Sequence, residues 1–87
     1  MSKFKGRALL LISGPGSESD VQVIRDAANT ALAPFTLEVQ DTQHICMGGR
    51  IILAVDIQCD PAHLSAIETD VRNAVEKFRC DVASEII

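Results

Sequence analysis

The stretch Arg7–Asp20, RALLLISGPGSESD, decides the fold. Ala8–Ile12 is an unbroken aliphatic run, which suits a strand buried on both faces. A turn of Gly, Pro and Ser follows, and a helix opens behind it. A strand ending in such a turn presents backbone N–H groups at a helix N-terminus, where small anionic groups bind. The loop Gly14–Ser19 is therefore the first candidate site.

Outward from this stretch, Asp20–Ala33 reads as a helix. Val21, Ile24, Ala28, Ala31 and Leu32 recur at three- and four-residue steps and form one apolar stripe. Ser17 or Ser19 serves as N-cap, Glu18 and Asp20 complement the helix dipole, and Pro34 closes the helix. Phe35–Cys46 is a second strand, with Phe35, Leu37 and Val39 alternating against Thr36, Glu38 and Gln40. Asp41 and Thr42 break the alternation and signal a bulge or a register shift. Met47-Gly48-Gly49-Arg50 is a hairpin turn, since paired glycines accept positive φ. Arg50–Gln58 is a third strand, with Ile51, Leu53, Val55 and Ile57 on one side. Asp60 N-caps a second helix with Pro61 at its first position, and Leu64, Ile67, Val71, Ala74, Val75 and Phe78 form its stripe through to Arg79. Glu68 and Arg72 sit four apart and pair. Cys80–Ile87 is the last strand, with Val82, Ser84 and Ile86 on one side.

The order β-α-β-β-α-β, with right-handed crossovers, predicts an α+β ferredoxin-like sandwich: a four-stranded antiparallel sheet with two helices on one face. The first and third strands, the most apolar, belong in the centre. The face without helices should carry either Leu9 and Leu11 or Ala8, Leu10 and Ile12, together with Ile52 and Ala54. An exposed patch of that kind marks a contact surface, fit for a dimer or a sister domain.

Totals narrow the function. Eighty-seven residues, 47% of them hydrophobic, make one domain, 1–87, with one core. There is no Trp or Tyr and only three Phe, the net charge is −4, and no basic run occurs, so nucleic acid is a poor partner. The apolar run Ala8–Ile12 is too short for a signal peptide core or a membrane span, which points to a cytoplasmic protein. Cys46, Cys59 and Cys80 are odd in number and form no CxxC, against both a disulfide framework and a zinc site with clustered ligands. No cofactor motif and no catalytic set appears. GPGSES lacks the Lys of a P-loop, no GxSxG or DxDxT occurs, and His44 and His63 read as surface or cap histidines. Arg50 reads as a solvated hairpin arginine. An acylphosphatase-like catalyst would need Arg and Asn in the loop after the first strand, and neither is there.

LLLISGPGSESDVQVIRDAANTAL, then a Gly-Gly-Arg hairpin and a DP-started helix, resembles an ACT domain. It is most similar to the N-terminal ACT domain of bacterial, actinobacterial-type phosphoserine phosphatases. Gln43, Gly49-Arg50 and Ile51 fall at the hairpin positions of that pattern, Ile67–Val71 in the second helix, and Cys80-Asp81-Val82-Ala83 in the last strand. The resemblance implies a regulatory and oligomerisation domain of a longer enzyme of serine biosynthesis, without catalysis of its own. It implies L-serine or a related amino acid as ligand and a homodimer or tandem ACT partner. The ligand would lie on Gly14, Pro15, Gly16, Ser17, Glu18 and Ser19 and bridge to Leu37 and Val39 of this or a neighbouring subunit. The loop departs from the pattern: the family's Asp falls on Gly16, its Pro on Glu18 and its Gly on Ser19. Weak or absent serine binding is therefore expected there, and the alternative is a ligand-free ferredoxin-like dimerisation module.

Overall fold

Strict alternation builds the sheet. The computed structural model describes residues 6–87; the basic start, residues 1–5, lies outside the described residues. In chain order the elements are β1 (Gly6–Pro15), α1 (Glu18–Leu32), β2 (Leu37–Met47), β3 (Arg50–Cys59), α2 (Leu64–Val75) and β4 (Asp81–Ile86). Single 3-10 turns, Pro61–His63 and Glu76–Phe78, flank α2. The strands lie in the order β2-β3-β1-β4, all neighbours antiparallel, which is the ferredoxin-like arrangement with β1 and β3 at the centre.

Ala8, Leu10 and Ile12 of β1 and Ile51, Leu53, Val55 and Ile57 of β3 point to the same side. There they join Val21, Ile24, Ala28 and Leu32 of α1 and Ile67, Val71 and Val75 of α2 in a single core. Both helices thus cover one face, and they touch each other. Burying a Leu, Ile or Val side chain contributes about 1.5–3 kcal/mol, so this aliphatic layer dominates the stability.

Local chemistry fixes the ends. Asp60 accepts from the Ala62 N–H at 3.0 Å, with Pro61 behind it, as its cap spacing requires. Gly48 and Gly49 adopt φ of 60° and 75° and close the β2–β3 hairpin. Arg72 pairs with Glu68 at 3.3 Å and also donates to the Val82 carbonyl at 2.7 Å, tying α2 to β4. The irregularity expected near Asp41 is a register shift between Val39 and Asp41. It has a consequence for the site, because it turns Thr42, His44 and Cys46 toward the helices and Asp41, Gln43 and Ile45 toward the open face.

Three sequence expectations are corrected. β1 runs on through Gly14 and Pro15, which pair with Ile51 and Arg50, instead of ending at Ser13. Gly14 can do this because it lacks a side chain: a Cβ there would stand 2.6 Å from Cys80 Sγ and 3.0 Å from the Arg79 carbonyl oxygen. Helix α1 starts at Glu18, two residues early, because Ser17 is its N-cap. Val39 and Ile86 lie on the helix side of the sheet by register but stay 46% and 72% exposed. Val39 is on an edge strand and Ile86 is at the end of one, where little of the sheet's helix side is covered.

Candidate functional site

With Gly14 and Pro15 in β1, and Glu18 and Ser19 in α1, the loop shrinks to Gly16 and Ser17. Gly16 has φ of 151°, and its N–H donates to the Gly49 carbonyl at 2.9 Å, so the turn is closed against the hairpin. The Gly16 φ is one that side chains rarely adopt, and a Cβ there would also press on Ile51 Cδ1 at 2.6 Å, so glycine suits this position. The Ser17 N–H donates to the Asp20 carboxylate at 2.8 Å, the reciprocal half of a capping box. Ser17 Oγ and Ser19 Oγ lie 3.0 Å apart. The backbone donors that would greet an anion at Gly16 and Ser17 are thus taken by the chain's own oxygens.

Leu37 and Val39 are not brought to this loop within one copy. Leu37 pairs with Cys59 at the end of the sheet where Gly6 sits, whereas Gly14 pairs with Ile51. Eight residues of β3 separate the two ends, roughly 26 Å at 3.3 Å per residue. The loop's actual neighbours are the hairpin and the last turns of β2. The topology already implies this: β1 and β2 are both antiparallel to β3 and run in the same direction, so the start of β2 lies at the end of the sheet away from the turn that follows β1.

One cluster at this rim was not foreseen. Glu18, at the start of α1, meets His44 Nε2 at 2.6 Å, and the Cys46 thiol faces the same carboxylate. One donor atom from each of Glu18, His44 and Cys46 lies within 4.8 Å of the others. Arg25 Nη2 approaches His44 Nδ1 at 3.4 Å, and Arg25 Nε is buried without a partner among the described residues. The His44 contact, followed by the Cys46 contact, holds the Glu18 carboxyl below its ordinary pKa. Burial first, and the Glu18 carboxylate second, push the Cys46 thiol up. A nucleophilic Cys–His pair requires the imidazole at the hub and a depressed thiol pKa. Here the carboxylate is the hub and the thiol is raised, so the cluster is not set up as a nucleophile. The only sequence signal for it was the one-residue spacing of His44 and Cys46 on one face of a strand; Glu18 is 26 residues away.

The second feature is the open face of the sheet. The residues of β1 there are Leu9 and Leu11, which settles the alternative left open by the sequence, and they lie beside Ile52 and Ala54 of β3 and Ile45 of β2. Ile45 pairs directly with Ile52, and both are exposed. Toward the other end the face turns polar. A shallow depression of about 230 Å³ is lined by Leu9, Asp41, Gln43, Ala54 and Asp56. Arg7 grips Asp56 with two hydrogen bonds, 3.0 and 2.6 Å, and this holds the Asp56 carboxyl below its ordinary value. Cys46, Cys59 and Cys80 are all free, and burial raises the thiol pKa of Cys59 and Cys80. Among the described residues no helix is long and apolar enough to cross a membrane.

No family model matches the sequence, and no curated protein matches it either. Solved structures do share its architecture. A protein of unknown function from Galdieria sulphuraria superposes with a TM-score of 0.75 at 13% identity, over 94% of this chain and 44% of that one. A formyltetrahydrofolate deformylase from Burkholderia mallei gives 0.70 at 14% identity, over 94% of this chain and 28% of that one. An ACT domain protein from Streptococcus pneumoniae gives 0.71 at 8% identity, over 93% of this chain and 89% of that one. At such identities the likeness is one of fold, and it agrees with the ferredoxin-like topology read from the sequence. This chain spans less than half of the first two of these structures.

Proposed function

We propose that the chain is a regulatory and assembly module of the ACT type, without catalysis of its own, that pairs its open sheet face with a second copy or a sister domain. The carrying observation is that face: Leu9, Leu11, Ile45, Ile52 and Ala54 form an apolar strip with no helix over it. Apolar area left in water on a sheet marks a contact surface. Two of the structures it resembles are much longer chains, which fits a module inside a larger protein, and the ACT domain protein is close to this chain's own length. The reading places it in the cytoplasm, where three free thiols stay reduced. Sedimentation of the domain tests it. A concentration-dependent dimer is expected, and a strict monomer at high concentration overturns assembly through self-pairing.

Sensing is the finer part of the reading. The sequence resemblance points to a phosphoserine phosphatase parent in serine biosynthesis, with L-serine or a related amino acid as ligand. Gly14–Ser19 would come from one copy and Leu37 and Val39 from its neighbour, because one copy holds them at opposite ends. A ligand would act by favouring one assembly over another. It must displace the Gly49 carbonyl or the Asp20 carboxylate to gain N–H donors, so weak affinity is expected. Calorimetric titration with L-serine decides this part: no heat at millimolar serine removes sensing and leaves assembly standing.

A further inference from the structure

We propose that Glu18, His44 and Cys46 form a site for a thiophilic divalent cation of the zinc type, at the seam between α1 and the end of β2. Carboxylate, imidazole and thiolate are the three donor types zinc takes, and three protein ligands with one open position make an accessible site. The geometry is close to what is needed. A tetrahedral zinc with bonds of about 2.0–2.3 Å sets neighbouring ligand atoms about 3.3–3.6 Å apart, and here one donor from each residue lies within 4.8 Å of the others. His44 and Cys46 are two apart on one strand face and both aim toward α1. The side that must open is the Glu18–His44 contact, now 2.6 Å. Glu18 can make that change because its side chain is 73% exposed, against 30% for His44.

The β2 register shift creates the site. Without the extra residue between Val39 and Asp41, Ile45 would face the helices, and His44 and Cys46 would face away from Glu18. On binding, the metal displaces the thiol proton to solvent and takes the Nε2 lone pair of His44, leaving the imidazole proton on Nδ1. Arg25 opposes this last step, since its Nη2 already donates toward Nδ1 at 3.4 Å. Its charge and the N-terminus of α1 both repel a cation, so the affinity is moderate and Arg25 sets it.

Cobalt(II) added to the full chain under reducing conditions is the test, with zinc as competitor. A thiolate-to-cobalt charge-transfer band at one metal per chain is expected, and zinc should abolish it. Cys46→Ser should lose the band, and His44→Gln should weaken cobalt binding at least tenfold, both with unchanged circular dichroism. Arg25→Gln should tighten binding several-fold, because an amide oxygen can accept the Nδ1 proton. No band in the unaltered chain, or a band that survives Cys46→Ser, overturns the site. Should Cys46→Ser fail to fold, the stoichiometry and the opposite shifts in His44→Gln and Arg25→Gln decide; unchanged affinity in both overturns it.

Discussion

Ile52 and Leu53 are neighbours in the chain and opposites in fate. Leu53 lies in the core on the helix-covered face with none of its surface exposed, whereas Ile52 stands 47% exposed on the other side of the same strand. The difference is purely one of pleat, since successive side chains of a strand point to opposite faces. It separates two jobs. The helix-covered face carries stability; the open face carries whatever the domain touches.

Substitution of the two residues should break them apart cleanly. Leu53→Ala removes a fully buried side chain from the core and should cost about 3 kcal/mol in denaturant unfolding. A cost below about 1 kcal/mol would contradict the core assignment. Ile52→Lys leaves the core alone and should change the unfolding free energy by less than about 0.5 kcal/mol. Its effect should appear in self-association, where a charge set against its own copy weakens the dimer at least tenfold by sedimentation. An Ile52→Lys chain that unfolds easily but still associates would reverse the roles given to the two faces.

Much of this architecture was legible in the residues. The stripes of α1 and α2, the Asp60-Pro61 cap and the Gly48-Gly49 hairpin each carry a local rule, and the helix layer obeys them. The choice between Leu9/Leu11 and Ala8/Leu10/Ile12 was not legible. β1 is apolar on both sides, so its own pattern holds no preference, and only the packing of α1 and α2 breaks the tie. The extension of β1 through Gly14 and Pro15 was also hidden, because glycine and proline read as a turn. What keeps them in the strand is tertiary: β3 offers Ile51 and Arg50 as partners, and the Arg79–Cys80 chain passes too close for any residue but glycine at 14. The donor cluster was invisible for a different reason. Its ligands come from α1 and from the far side of a bulge whose position, not existence, decides which side chains face the helix.

The polar end of the open face supplies the smallest and most specific effect. Arg7 and Asp56 form a two-point contact across the central strands, and Asp56 is depressed below its ordinary pKa of 3.8, chiefly by the Arg7 hydrogen bonds and then by the Arg7 charge. A carboxyl depressed on folding binds fewer protons in the native state than in the unfolded one, so it adds stability above the unfolded pKa. That contribution fades as pH falls through the native value. Unfolding free energy measured at steps from neutral pH down into the acid range should therefore drop for the unaltered chain. The drop should be shallower in Asp56→Asn, whose amide cannot titrate. Identical acid slopes would mean that the pair is a solvated surface contact that contributes nothing to folding. A shallower slope in the variant would show that this end of the open face, unlike the strip around Ile52, is held by the chain itself and is not waiting for a partner.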